Sequence, residues 1–383
     1  MSSRSTQAHA DESGPASTAA VQPPRPAEQT PSPEVLLEFQ QTMRQFLKMQ
    51  ERILVQFLQP VATDEARAAP ATTSPAPSSV LIRATPNVGA DGGVVLHQPL
   101  TLASDPYLAD HVIDGRAVLP MAMALEYIAQ FAARCWPQRH VSEVRQLQLM
   151  SGVTVDAERP PRLELRASAP SVDEGGVLTS AIELWTAVER PRLHYRASVR
   201  LTDARIAAPP SRLSVPSGAP MAGMQAYTTL LFHGPRFRCI EQIPALGESG
   251  ALAMLRTSTP AQLMGADTHA DARWLFDPAA LDAAPQLAWI WGFTHRNAAA
   301  LPTLMPSVRR YGPATGAERL QLIQSISAAA GSTTLRYEAE YLDDSGRVRY
   351  AISAGESTLS PALNRLVPAS PAFARRAPDD RLS

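Results

Sequence analysis

Two stretches of this chain are apolar almost all round, "MAMALEYIAQFAARCW" at 121–136 and "DPAALDAAPQLAWIWGF" at 277–293. A surface helix keeps a polar face for water, whereas a helix without one must be covered on most sides. Runs with strand character surround both. "GVVLHQPLTL" (93–102) precedes the first helix, and runs at 141–155, 162–167, 177–187 and 193–202 follow it. After a Pro/Ser-rich break at 207–220, runs at 237–245 and 251–256 precede the second helix. Runs at 304–310, 320–328, 335–342 and 348–359 follow it. The two halves share this pattern without sharing sequence: early strands, one apolar helix, about four long strands.

One helix per half cannot supply the crossovers that a parallel sheet needs for each strand pair. An antiparallel sheet wrapped round each helix is the economical solution. The expected fold class is therefore α+β, a double hotdog, with halves over 92–206 and 221–362 joined by a linker at 207–220.

The rest of the chain reads differently. Residues 1–33 are Ser, Thr, Ala, Gln and Pro with hardly an aromatic, which predicts a disordered tail. Ser32 and Pro33 suit an N-cap and first turn, and apolar residues then recur at three- and four-residue steps to Pro60. This predicts an amphipathic helix over 34–60 for docking or dimerisation. A Pro/Ala/Ser/Thr-rich linker is expected over 61–91, so that folding starts near Gly92, and a tail over 363–383.

Apolar residues make up 45% of the 383 and charged residues 19%, with a net charge of −1, which points away from nucleic-acid or membrane-surface binding. Lys48 is the only lysine, so the arginine content reflects a coding bias more than phosphate recognition. Two cysteines, Cys135 and Cys239, are too few for a disulfide framework or structural zinc. His9, His140, His194, His269 and His295 show no metal-ligand spacing, and no apolar run approaches the roughly 18 residues of a membrane span. A cytoplasmic protein without a metal is expected.

Three stretches carry chemistry. "ADHVIDGRAVLP" holds His111, Gly115 and Pro120 at HxxxGxxxxP spacing; "LLFHGPRF" holds His233, Gly234 and Pro235; "LDAAPQLAWIW" holds Asp282 and Gln286 at DxxxQ spacing. Neutral imidazole, with an ordinary pKa of about 6.5, is a suitable base near neutrality. An Asp at about 3.9 can serve as acid at pH 7 only if burial raises it by roughly two to three units. The apolar neighbours Leu281, Ala283, Ala284 and Leu287 suggest such burial. Asp277 before Pro278 is the better helix cap, which leaves Asp282 for other work. Pro285 lies in the helix interior, where it predicts a bend between Leu281 and Pro285 and a free Leu281 carbonyl.

In this order and in these halves, the three stretches resemble the dehydratase domains of type I polyketide synthases and polyunsaturated-fatty-acid synthases. The likeness spans about residues 92–362. It implies loss of water from a 3-hydroxyacyl thioester to give an enoyl thioester, a carbon–oxygen lyase reaction, with His111 as base and Asp282 as acid. Supporting or substrate-binding roles fall to Gly115, Pro120, His233, Gly234, Pro235 and Gln286, with the backbone near Gly115 receiving the thioester carbonyl. It also implies no cofactor beyond the phosphopantetheine of an acyl carrier protein. The expected partners are that carrier, other synthase domains or modules, and a second copy in a homodimer. A double-bond isomerase or an oxygen-ring-forming cyclase would use the same pair, and a non-catalytic scaffold is the alternative from another class.

Overall fold

The computed structural model describes residues 79–186, 191–312 and 318–368. The expected tail over 1–33, the helix over 34–60 and the linker as far as residue 78 lie outside the described residues, as does the chain from 369 on.

Helix α1 (Met121–Cys135) keeps every residue from Met121 to Ala132 buried, and helix α2 (Pro278–Arg296) every residue from Pro278 to Gly292. What covers them is one antiparallel sheet. Its first half holds β1 (Val94–Pro99), β2 (His140–Leu149), β3 (Arg162–Ala167), β4 (Leu178–Thr186) and β5 (Arg192–Thr202). The second half holds β6 (Ile240–Gly247), β7 (Gly250–Arg256), β8 (Ala299–Arg310), β9 (Arg319–Ser327), β10 (Thr334–Leu342) and β11 (Val348–Ser360). The spatial order of these strands is β1-β3-β4-β5-β2-β8-β11-β10-β9-β7-β6. Read outward from the centre, both halves are the same: the strand after the helix, then the last strand, and finally the strand before the helix. The expected repeat is thus a repeat of topology, and the fold is a double hotdog. The halves join where β2 pairs antiparallel with β8, with Val144 opposite Val308 and Leu147 opposite Met305, all buried. The strands bury alternate residues, as "LTSAIELWT" does in β4, so each presents one apolar row to a helix.

Folding starts earlier than Gly92. Residues 79–91, expected within a linker, are described, and the first of them dock on the first hotdog, where Leu81 is fully buried and Ile82 nearly so. Side chains take the place of a strand partner here. Gln130 Oε1 accepts from the Leu81 N–H at 2.8 Å, and Gln98 donates to the Leu81 carbonyl at 2.8 Å and accepts from the Arg83 N–H at 3.2 Å. Arg83 then forks onto the buried Asp105, at 3.1 and 2.8 Å. Low sequence complexity hid this, because the anchoring groups lie far along the chain.

The same network joins the halves. Gln130 donates to Glu126 on α1, and the Glu126 carboxyl accepts the N–H groups of Leu275 and Phe276, each at 2.7 Å, just ahead of α2. Burial pushes this carboxyl up to about 8, against the three donors and Arg310, which favour its charge.

Removing residues 1–91 is expected to give a core of lower melting temperature than removing 1–78. Leu81→Ala alone should cost on the order of 2–5 kcal/mol in chemical denaturation.

Candidate active site

The three motif stretches converge on the boundary between the hotdogs. His111 follows a short 3-10 turn (Pro106–Asp110) and opens a hairpin, Val112–Ile113 with Arg116–Val118. Asp114 and Gly115 both have positive φ, at 51° and 76°, the two-residue turn that matches strand twist. Gly115 is exposed, and a Cβ there would meet nothing within 4 Å. Its positive-φ conformation is by itself a reason for glycine. Pro120 stands at the N-cap of α1 and accepts from the Ala124 N–H at 3.0 Å.

The second stretch is tied to the first. Asp110, just before His111, accepts the Gly234 N–H on its carbonyl at 2.8 Å and Arg236 on its carboxylate at 2.7 Å. A Cβ at Gly234 would lie 2.1 Å from the Asp110 carboxylate, so this contact requires glycine. Pro235 begins the one-turn 3-10 segment Pro235–Phe237. Neither Gly234 nor Pro235 lines the cavity described below; they hold His233 in place.

Asp277 caps α2 as expected, accepting from the Ala279 and Ala280 N–H groups and from Ser258. One helical face then presents Asp282, Pro285, Gln286 and Trp289 to the cavity. Helix α2 runs without a break from Pro278 to Arg296, with Pro285 in its interior. The carbonyl that the proline leaves unpaired is not free. Tyr341 on β10 donates its hydroxyl to the Leu281 carbonyl at 3.1 Å. A buried partner 60 positions away cannot be read from the helix sequence.

The cavity holds about 290 Å³ and is lined by His111, His233, Asp282 and Gln286 from the motifs. Much of the remaining wall is apolar or aromatic, including Met121, Leu149, Phe232 and Trp289. His111 and Asp282, 171 positions apart, thus share one cavity, with His233 between them. The His111 and His233 ring centroids are 5.5 Å apart, and His233 Nε2 lies 3.2 Å from Asp282 Oδ2. Phe232 stacks on His233 at 4.1 Å and meets His111 edge-on at 5.2 Å.

Hydrogen bonds define the electrostatics. His111 Nδ1 lies 2.8 Å from the Val118 carbonyl, which can only accept, so Nδ1 carries the hydrogen and Nε2 keeps its lone pair. Burial and the adjacent His233 pull His111 down to about 4, although Asp282 opposes the shift. Burial alone would raise Asp282, yet the contacts with His233, His111 and Gln286 outweigh it and hold the carboxyl below its ordinary value. The raised Asp282 expected from its apolar neighbours is corrected accordingly, because its polar partners come from elsewhere in the fold. Gln286 donates to Asp282 Oδ2 at 2.9 Å, and Tyr227 donates to Gln286 Oε1 at 2.9 Å while accepting the Ile240 N–H at 3.1 Å. Tyr227 thereby orients the glutamine. Among the described residues, no group of three or more His, Cys, Asp or Glu could hold a metal ion, and no helix is long and apolar enough to cross a membrane.

A family model described as polyketide synthase dehydratase domain matches residues 80–181, and one described as polyketide synthase dehydratase N-terminal domain matches 207–365. The chain belongs to the polyketide synthase dehydratase family. It is 27% identical over 261 residues, 66% of its length, to a polyunsaturated fatty acid synthase polypeptide of Thraustochytrium sp., and spans only 9% of that relative. The dehydratase domain of the CurF module of the curacin polyketide synthase has the same fold, with a TM-score of 0.60 at 17% identity over 74% of this chain and 100% of that one. So does the dehydratase domain of PpsC from Mycobacterium tuberculosis, solved in complex with C12:1-CoA. Its TM-score is 0.58 at 20% identity, over 74% of this chain and 100% of that one.

Tyr341→Phe should destabilise the family fold here by about 1–3 kcal/mol, the cost of an unpaired buried carbonyl. In a Pro285→Ala background the restored N–H can reach that carbonyl, and the penalty should largely vanish in a double-mutant denaturation cycle.

Proposed function

We propose that this chain dehydrates a 3-hydroxyacyl thioester to an enoyl thioester, the thioester being carried on the phosphopantetheine of an acyl carrier protein. The observation that carries the reading is a bare imidazole nitrogen and a carboxylate facing one apolar cavity from opposite halves of the fold. Such a cavity suits an acyl chain, and the mycobacterial neighbour was solved with an acyl thioester. His111 takes the C2 proton on Nε2. Its lowered affinity for protons keeps it neutral and ready near pH 7. The departing C3 hydroxyl is protonated at the opposite wall, where Asp282 anchors the acid. Gly234 and Pro235 support that wall, and Gln286 orients the carboxylate. The thioester carbonyl meets the backbone between Gly115 and Met121, where Pro120 leaves the first amides of α1 without a side-chain cap.

The matched relative is a far longer synthase polypeptide, so the natural partners are other synthase domains or modules together with the carrier protein. A homodimer through the segment over 34–60 rests on its apolar stripe alone. No cofactor is required beyond the carrier's own arm, and cytoplasmic synthesis is the setting these partners imply.

His111→Ala should lower turnover of a 3-hydroxyacyl thioester surrogate by about 10²–10⁴-fold, followed as loss of water by mass spectrometry. Because the base must be neutral, the acid limb of kcat/KM should rise with pH through about 4. An acid limb centred near 6.5 would show that His111 is not held as described.

A further inference from the structure

We propose that Arg365 is a positioning residue of the active site, which by clasping Asp114 pins the hairpin that carries the partner of His111 and forms one wall of the cavity. This inference rests on the dehydratase reading and adds to it a residue remote from the reacting atoms.

His111 depends on the hairpin twice. Its carbonyl accepts the Val118 N–H at 3.0 Å, and its Nδ1 lies 2.8 Å from the Val118 carbonyl. A shift of Val118 therefore moves the ring together with the contact that sets its tautomer. The hairpin also bounds the cavity directly, through Ile113 and Val118. Its outer strand pairs onward through Ala117 with Val155 and Val118 with Thr154, which anchors the Val118 end. The other end projects from the body, and Val112, Asp114, Gly115 and Arg116 are exposed. A two-stranded hairpin this short is marginal by itself.

Arg365 reaches that projecting turn from the opposite half of the fold, 251 positions away. Its Nε donates to Asp114 Oδ1 at 3.1 Å and its Nη2 to Oδ2 at 2.5 Å. Two parallel bonds from a planar guanidinium fix direction as well as distance. The remaining arm, Nη1, donates to the Ala362 carbonyl at 2.5 Å, so the fork is also held from its own segment.

The base of the clasp is firm. Arg365 lies in the 3-10 turn Pro361–Leu366, which follows β11. The adjacent Asn364 accepts the Ala299 N–H and donates to the Asn297 carbonyl, each at 2.8 Å. These bonds tie the turn to the end of α2 and the start of β8, and Leu366 and Val367 are buried behind it. From there β8 continues into Ala300, Leu301 and Pro302, which line the cavity. The clasp thus links two walls of one cavity, the hairpin of the first hotdog and the first residues of β8 in the second.

The side chains of Arg365 and Asp114 are 31% and 34% exposed. An ion pair so open to water adds little to stability. Its effect is on geometry, where a misplacement of about 1 Å can cost as much as 10²-fold in rate.

The test uses the full chain and a 3-hydroxyacyl N-acetylcysteamine thioester, with Arg365→Ala, Arg365→Lys, Asp114→Asn and the double variant Arg365→Ala/Asp114→Asn, each checked for folding by circular dichroism. Asn tolerates the left-handed turn, where Asp114 has φ 51°, and removes only the charge. Arg365→Ala and Asp114→Asn should each lower kcat by about 10-fold, with KM changed less than about threefold. The double variant should match the slower single variant within about twofold, since either substitution opens the same clasp. Arg365→Lys keeps the charge without the fork and should fall between Arg365→Ala and the wild type. An active wild type with Arg365→Ala or Asp114→Asn within about twofold of it, losses that multiply in the double variant, or losses that track the fraction of unfolded chain overturn the inference and leave the dehydratase reading intact. A wild-type chain that forms no enoyl thioester overturns both.

Discussion

The pairing of β2 with β8 sets the rest of the structure. Each half could wrap its own helix, but the ladder through Val144–Val308 and Leu147–Met305 makes two curved sheets into one. It thereby brings α1 and α2 into contact beneath the seam. The cavity lies at that boundary, where the start of one helix and the side of the other share a wall. Neither hotdog alone contains both the imidazole and the carboxylate.

Polar contacts hold this boundary where apolar packing alone would leave it free to slide. Glu126 on α1 grips the backbone ahead of α2, and Asp110 grips the backbone behind His233. Glu126 takes backbone N–H donors on its carboxyl, and Asp110 takes one on its backbone carbonyl and Arg236 on its carboxylate, all from the opposite half. Directional hydrogen bonds of this kind fix the spacing of the cavity groups more closely than non-directional dispersion does. Outside these contacts the helices are buried in Ala, Leu, Met and Trp side chains, which make the site dry. Dryness lowers His111, and the same dryness would raise Asp282 if its partners did not prevent it.

Much of the fold was legible in the sequence, because it follows from local period. Residues that alternate in "LTSAIELWT", or that stay apolar for four turns in "MAMALEYIAQFAARC", carry their burial with them. The motif residues His111, His233, Asp282 and Gln286 were legible by type and spacing, and they do meet. At Gly115 the motif left the reason open, since a two-residue turn and a ligand approach both ask for glycine. The docked segment after Ser79 was missed because its partners Gln98, Asp105 and Gln130 are remote in sequence. Pro285 shows the same limit: a proline announces an unpaired carbonyl, but only the fold supplies Tyr341.

By itself, then, the sequence determined the number and kind of elements, the duplicated order and the chemical inventory of the site, since each depends on neighbours within a few residues. The tertiary structure decided protonation. The proton affinity of Asp282 depends on Gln286 from its own helix, held by Tyr227, and on His233 and His111 from elsewhere in the chain. Proton affinity is a sum over desolvation and nearby charges at distances of a few ångströms. Those distances exist only once the chain has closed on itself.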